Sequence, residues 1–229
     1  MNMIAENSGT SETARTAYND GRYSDAFQLW LAAAEAGDSE AQSWVGSMYA
    51  NGEGVAVDDA KALAWYLAAA RQNNHMAQAN VGAFYFMGRG TRKDPAEAVK
   101  WLTAAAEGGD LNGLFNLAVL YSKGDGVAED QEKAASYYRR AAELGHYPSQ
   151  SRIGYMYAHG KGVAKDRVQA YLWLSLAAQH GIGTALDALE TVVKEMSLEE
   201  KTEAARLFEQ WRSRTGSTNG PLALYPAPG

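Results

Sequence analysis

The sequence contains no cysteine, so disulfides and thiolate catalysis are excluded. It has no basic excess either. A net charge of −6 argues against a general nucleic-acid binder and disfavours anionic membrane surfaces. Long apolar runs are missing: the most apolar stretch, Ala62 to Ala70, has nine residues, too few to cross a bilayer. Met1 to Thr16 lacks a basic segment followed by an apolar one, so the chain as it stands reads as cytoplasmic. Removal of a leader upstream of it is the route by which it reads as periplasmic. No serine sits in a Gly-x-Ser-x-Gly elbow, and no Gly-Lys-Ser or Gly-Lys-Thr follows a glycine-rich loop.

What is present is a 36-residue period. Gly52-Glu53-Gly54, Gly88-Arg89-Gly90, Gly124-Asp125-Gly126 and Gly160-Lys161-Gly162 stand in register. So do Tyr49, Tyr85, Tyr121 and Tyr157, and Asp58, Asp94, Asp130 and Asp166. A unit this short cannot bury its own apolar face, so units must stack on one another. Each reads as helix A, glycine-rich loop, helix B. In helix A, Ala77, Val81, Phe84 and Tyr85 share one face. Gly82 permits close helix approach there, as do Gly46 and Gly154, with Ala118 in the remaining repeat. The recurring aspartates are expected N-caps of helix B, with Pro95 at its first position. Spaced by whole repeats, they are too far apart for paired acid/base work. The rings Trp65, Trp101, Tyr137 and Trp173 lie beside alanines at helical spacing, which predicts packing of the rings of one unit over the alanines of another.

These signals divide the chain as follows. Residues 1–10 are expected to be disordered, and 11–40 form a shortened first unit. Four full repeats span 41–76, 77–112, 113–148 and 149–184. Residues 185–213 close the stack with two helices, the second opened by the capping box Ser197-Leu198-Glu199-Glu200. Residues 214–229 form a disordered tail with an odd apolar stretch, Leu222 to Tyr225.

The combined pattern Ala-x3-[Leu/Val]-Gly-x2-Tyr-x2-Gly-x-Gly-Val-x2-Asp-x3-Ala-x2-Trp-Tyr-x2-Ala-Ala resembles the Sel1-like repeat, a relative of the tetratricopeptide repeat. The third repeat departs most, with Gly113 for the opening alanine and Ala118 for the framework glycine. The resemblance implies an all-α fold: a right-handed α-solenoid superhelix of antiparallel helix pairs. It further implies an adaptor or scaffold, often bacterial, in signalling, secretion or envelope processes; it does not imply a reaction.

The four histidines, His75, His146, His159 and His180, fall at different phases of the repeat, which does not suggest the convergent ligands of a metal site. No catalytic residue, cofactor or metal is expected. By analogy with tetratricopeptide repeats, the concave groove is lined by residues of helix A that the framework does not use. In the middle repeats these include Met76, Phe86, Met87, Phe115, Val119, Tyr155 and His159. Ser43, Ala79 and Ala158 fall in the same set. Asn80 and Asn116 form a column with Trp44 and Arg152 at its ends, placed to hydrogen-bond a peptide backbone. An exposed apolar strip of this kind marks a binding site, and methionines suit an adaptable one. The alternative is that the strip is buried by helix A of the next repeat. The expected function is a non-catalytic scaffold binding a protein or peptide partner, with no nucleic acid and no membrane insertion. The alternatives are a glycan- or peptidoglycan-binding envelope protein and a hydrolase-type enzyme on the same fold. A third use of the groove is occupation by the Leu222 to Tyr225 tail.

Overall fold

The computed structural model describes the backbone of residues 3–215 and the side chains of residues 11–215. The expected tail spans 214–229, and from 216 on it lies outside the described residues. All regular structure among the described residues is helical: α1 (Met3–Asn19), α2 (Tyr23–Glu35), α3 (Ser39–Asn51), α4 (Asp59–Ala70), α5 (His75–Met87), α6 (Pro95–Glu107), α7 (Leu111–Lys123), α8 (Gln131–Glu143), α9 (Tyr147–His159), α10 (Arg167–Gln179), α11 (Gly183–Glu195) and α12 (Leu198–Thr215). The expected all-α, solenoid class is what the structure has. The chain forms two compact units, divided inside α7 between Leu117 and Ala118. Two boundaries differ from the sequence reading. Helix A starts at Ser39, His75, Leu111 and Tyr147, two residues before the expected repeat starts, because the caps Asp38, Asn74 and Asp110 lie further upstream. Helix α1 reaches back to Met3, into residues expected to lie outside the first pair. Ile4-Ala5-Glu6 has ordinary helix propensity, and polar composition alone does not oppose a helix.

In the first unit, α1 to α6 pack as successive neighbours. The reason for the framework glycines is visible in each pair. A Cβ on Gly46 would lie 2.8 Å from the Tyr66 ring, and one on Gly82 would lie 2.5 Å from Leu102. The missing side chain of helix A is therefore the space filled by helix B. Gly113 has the same cause, since a Cβ there would meet Ala105 at 2.6 Å. In the second unit Gly154 meets Leu174 in the same way, at 2.8 Å. Tyr66, Leu102, Tyr138 and Leu174 are consequently the deeply buried residues of helix B. The preceding ring position is less buried than expected: Trp65, Trp101 and Tyr137 are half-buried and only Trp173 is buried. Trp65 packs against the cluster that includes Ala33 and Ala34, and Trp101 against the one that includes Ala69 and Ala70. That is the ring-over-alanine contact between units.

The Gly-x-Gly loops have two jobs. The first glycine ends helix A in the left-handed region, at φ 75° for Gly52 and 73° for Gly88. The second also has positive φ, and it lies against the previous unit: a Cβ on Gly54, Gly90 or Gly162 would collide with the backbone carbonyl of Tyr23, Asp59 or Gln131. Those residues open helices α2, α4 and α8. The loop closes with one recurring bond, in which the N–H of Asp58, Asp94, Asp130 and Asp166 donates to the carbonyl of Tyr49, Tyr85, Tyr121 and Tyr157 at 2.8–3.0 Å. The same aspartates then cap helix B, accepting from Lys61, Ala96 and Glu97, Lys133 and Gln169 N–H groups at 2.9–3.1 Å. At the other end of the chain, the Ser197 box is reciprocal: Glu200 N–H donates to Ser197 Oγ at 3.2 Å and Ser197 N–H to Glu200 Oε2 at 2.8 Å.

One recurring contact has no counterpart in the sequence reading. Gln42, Gln78 and Gln150 are buried and donate through Nε2 to the carbonyls of Ala34, Ala70 and Ala142 at 3.1–3.2 Å. Those carbonyls belong to the last turn of the preceding helix B, where each also accepts the N–H of the turn residue Gly37, Asn73 or Gly145. Each glutamine thus ties one unit to the previous one. Leu114 takes this place in the third repeat.

Two outcomes are expected. Gly21 and Gly90 both have positive φ, but a Cβ on Gly21 meets nothing within 4 Å. Gly21→Ala should cost about 1 kcal/mol of backbone strain, and Gly90→Ala about 2–4 kcal/mol because the collision is added. Urea unfolding of the two variants measures the difference. Asp58 and Asp130 have carboxyls held below their ordinary value, chiefly by the backbone N–H groups of Lys61 and Lys133 and secondarily by the lysine side chains. A lowered folded-state pKa gives stability that is complete above the unfolded value and is lost as pH falls through the folded one. Asp58→Asn with Asp130→Asn keeps the cap acceptors but cannot titrate. The wild type should melt higher than this variant at pH 7, and the gap should close below about pH 4.

Candidate partner-binding surface

The candidate residues lie on the first helix of each pair. On α5 the residues Met76, Asn80, Ala83 and Met87 are spaced i, i+4, i+7 and i+11, so they form one line along the helix. Pro148, Arg152, Tyr155 and His159 occupy the equivalent line on α9. This line carries most of the exposure. Met76 is 45% exposed, Met87 55% and Tyr155 49%, and Arg152 and His159 are exposed as well. Met87 is open because α5 ends on it: Gly88 turns left-handed and takes the chain away. Asn80 is half-buried, as are Asn116 and Val119 on α7.

The flanking positions are different. Phe86 and Phe115 are half-buried, and the Lys93 ammonium sits 5.0 Å from the centre of the Phe86 ring. Ser43, Ala79 and Ala158 are buried, so these three, expected on the groove, are packing positions instead. The side chain that leaves helix A one residue before the helix-B contact face is drawn into that contact. Met76, Asn80, Phe86, Met87, Phe115 and Asn116 belong to the first unit, and Val119, Arg152, Tyr155 and His159 to the second.

Trp44 does not end an open column. It stacks on Trp30 with centroids 4.5 Å apart and planes 2° from parallel, and Tyr18 packs on it at 5.3 Å. Trp30 itself is buried. The ring is consumed in the core that α1 and α2 supply, a core outside the periodic part of the sequence. At the other end, His159 and Tyr155 are brought together: their rings stack at 4.0 Å, and His159 Nδ1 lies 2.9 Å from the Tyr155 carbonyl.

The other histidines have local roles. His75 Nδ1 lies 3.0 Å from Gln78 Oε1 and His146 Nδ1 2.7 Å from Ser149 Oγ, each at the start of a helix A. His180 stacks on Tyr147 at 3.5 Å. Among the described residues, no three His, Asp or Glu side chains are grouped to hold a metal ion, and no helix is long and apolar enough to cross a membrane. The glycine-rich loops lie against helix backbone, which leaves no cradle for a phosphate. Arg89, between two of these glycines, reaches the Asp59 carboxylate through Nε at 3.2 Å and Nη2 at 2.5 Å, and the Ala50 carbonyl at 3.1 Å. Asp59 holds the Arg89 guanidinium above its ordinary value. That loop side chain is a tie between repeats rather than a ligand group.

Comparison with known proteins agrees with this geometry. No curated protein gives a significant match. A Sel1 repeat protein of Oxalobacter formigenes is 32% identical over 74% of this chain and 50% of its own, with a TM-score of 0.68. A protective antigen present in uropathogenic Escherichia coli strains, displaying an SLR fold, is 28% identical over 94% of this chain and 47% of its own, with a TM-score of 0.78. The chain therefore spans about half the length of these two proteins. A Klebsiella pneumoniae Sel1 repeat protein, 19% identical with a TM-score of 0.56 over 82% of this chain and 93% of its own, shares the fold. The Sel1 repeat itself is matched at residues 18–38, 39–74, 75–110, 112–146 and 148–182, in the phase of the observed helix pairs. Five matched repeats, which together cover more than half of the chain, make it a member of the Sel1 repeat family.

Proposed function

We propose that this chain is a non-catalytic protein-interaction scaffold, and that the exposed line of helix A takes an apolar or amphipathic peptide or helix of a partner protein. Sel1 repeats are generally interaction modules, which supports the scaffold class. The observation that carries the finer reading is helix α5. Its sequence, His75 to Met87, holds no Asp, Glu, Lys or Arg, yet it shows Met76 and Met87 at 45% and 55% exposure. A helix that faced only solvent gains from charge on its open face. Exposed methionines on an uncharged face are the marks of a surface that adapts to an apolar partner.

Within this reading the residues have distinct parts. Met76 and Met87 supply adaptable apolar contact, and Phe86 and Phe115 form its half-buried floor. Asn80 and Asn116 offer amides to a peptide backbone, since an amide both donates and accepts. In the second unit, Val119 adds apolar surface, while the stacked Tyr155 and His159 with Arg152 offer a more polar continuation of the same repeat positions.

The test uses exposed residues, so that binding and folding separate. Met76→Asp with Met87→Asp should shift the thermal midpoint by no more than about 2 °C, as surface changes do. It should weaken a partner captured from the native host by at least about tenfold, measured by titration calorimetry on the purified pair. Phe86→Asp should instead lower the midpoint itself, because it places a charge at a half-buried site. Unchanged affinity in the double methionine variant would sink the proposal.

A further inference from the structure

The second unit contains a cleft of about 350 Å³ between α10 and α12 that the scaffold reading does not use. Its apolar wall is Leu172, Trp173, Leu207 and Trp211, and Gln169 and Gln210 add polar groups. The volume is at the lower end of the range of ligand sites. Trp173 is only 4% exposed, and its Nε1–H is buried without a hydrogen-bond partner. The Trp211 ring stands edge-on to it, with centroids 4.9 Å apart and planes at 72°. The exposed Arg214 lies over Trp211 at 4.9 Å. A buried indole N–H normally has an acceptor, and an indole can only donate. The Trp173 N–H therefore has no acceptor among the described residues, although Glu143, Gln169 and Gln210 also line the cleft.

The chain continues past the edge of the cleft. Helix α12 ends at Thr215, one residue beyond Arg214, which also lines the cleft. Gly216-Ser217-Thr218-Asn219-Gly220 follows, and then Pro221-Leu222-Ala223-Leu224-Tyr225-Pro226-Ala227-Pro228. Residues 216–229 carry no charged side chain, in a chain that is 21% charged. Each proline removes an N–H and keeps its carbonyl, so the segment is rich in acceptors and poor in donors. That balance suits the unpaired Trp173 N–H, a group that can only donate. Leu222, Leu224 and Tyr225 are apolar side chains of a kind to fill a space floored by leucine and tryptophan. Five residues lie between Thr215 and Pro221, an extended reach of about 20 Å. Binding of proline-containing extended segments to aromatic walls is a general recognition mode, helped by the low entropy of the preformed strand.

We propose that the α10–α12 cleft is the docking site of the chain's own segment Pro221–Pro228. The segment enters in extended form, a backbone carbonyl accepts the Trp173 Nε1–H, and an apolar side chain of the segment packs against Leu172, Leu207 and Trp211. Arg214 moves off Trp211 to admit it. The occupant is the tail, and the site is this cleft rather than the helix-A line. The proposal is independent of the partner-binding reading.

The indole proton of Trp173 is the reporter. Its resonance is assigned in the nitrogen–proton spectrum of the full chain by its loss in Trp173→Phe. The full chain is then compared with the variant Leu222→Asp, Leu224→Asp, Tyr225→Ser, whose changes lie beyond the last repeat. In the wild type the proton should sit downfield and exchange with water at least about tenfold more slowly than in the variant. A synthetic peptide of residues 219–229, added to the variant, should restore both properties in a saturable way. Equal resonance position and exchange in the two proteins overturns the proposal, and so does failure of the peptide to restore them. A wild-type signal that appears only as protein concentration rises, together with a dimer in sedimentation, assigns the cleft to the tail of a second copy and overturns the intramolecular form.

Discussion

Everything in this protein depends on how closely one backbone approaches another. The second glycine of each Gly-x-Gly loop lies against the first-turn carbonyl of an earlier helix B, with no room for a Cβ at Gly54, Gly90 or Gly162. Between the helices of a pair, Gly46, Gly82 and Gly154 instead leave room for the side chains of Tyr66, Leu102 and Leu174. These contacts set the spacing of the helices. Close packing of alanines becomes possible only at that spacing, and the rings of Trp65 and Trp101 can then lie over alanines of the neighbouring unit. Polar ties are laid on the same frame: the Tyr carbonyl to Asp N–H bond within each loop, and the glutamine amide to the last turn of the preceding unit.

Local rules were readable from the residues because each acts over three or four positions. The aspartate caps, the Ser197 box and the left-handed glycines all belong to this class, and all are found where the spacing put them. Recurrence at 36 residues then gave the fold class, since it showed the same local rules repeated. The glutamine ties were missed although they carry the same signal. Gln42, Gln78 and Gln150 are in register, but Leu114 interrupts the series and a glutamine on a helix reads as surface. Its burial follows only from a carbonyl eight residues upstream, across a turn.

The candidate surface was harder to read than the frame. Period and helical phase identify which residues the framework leaves over; of these, Met76 and Met87 are exposed on α5, and Tyr155 and His159 on α9. The same phase argument included Ala79 and Ala158, which are buried, and Trp44, which is stacked on Trp30. The error has one physical source. A helix in a stack has neighbours on two sides, so the positions next to the open line are shared with the adjoining helix. How much of them is covered depends on the size of groups contributed by a neighbour many residues away. For Trp44 those groups are Tyr18 and Trp30, in the part of the chain where the period does not hold.

The glutamine contacts and the second glycine of the loops join repeats through backbone atoms and a few recurring side chains. None of them involves the open line of helix A. Copying or deleting a whole unit would therefore bring its own joints with it, and neither end would need a new interface. Two longer solved relatives share this fold over about half of their own length. Such a chain can change its length and its exposed methionines, tyrosines and asparagines by separate routes, so that what it recognises can diverge while the way it folds stays the same.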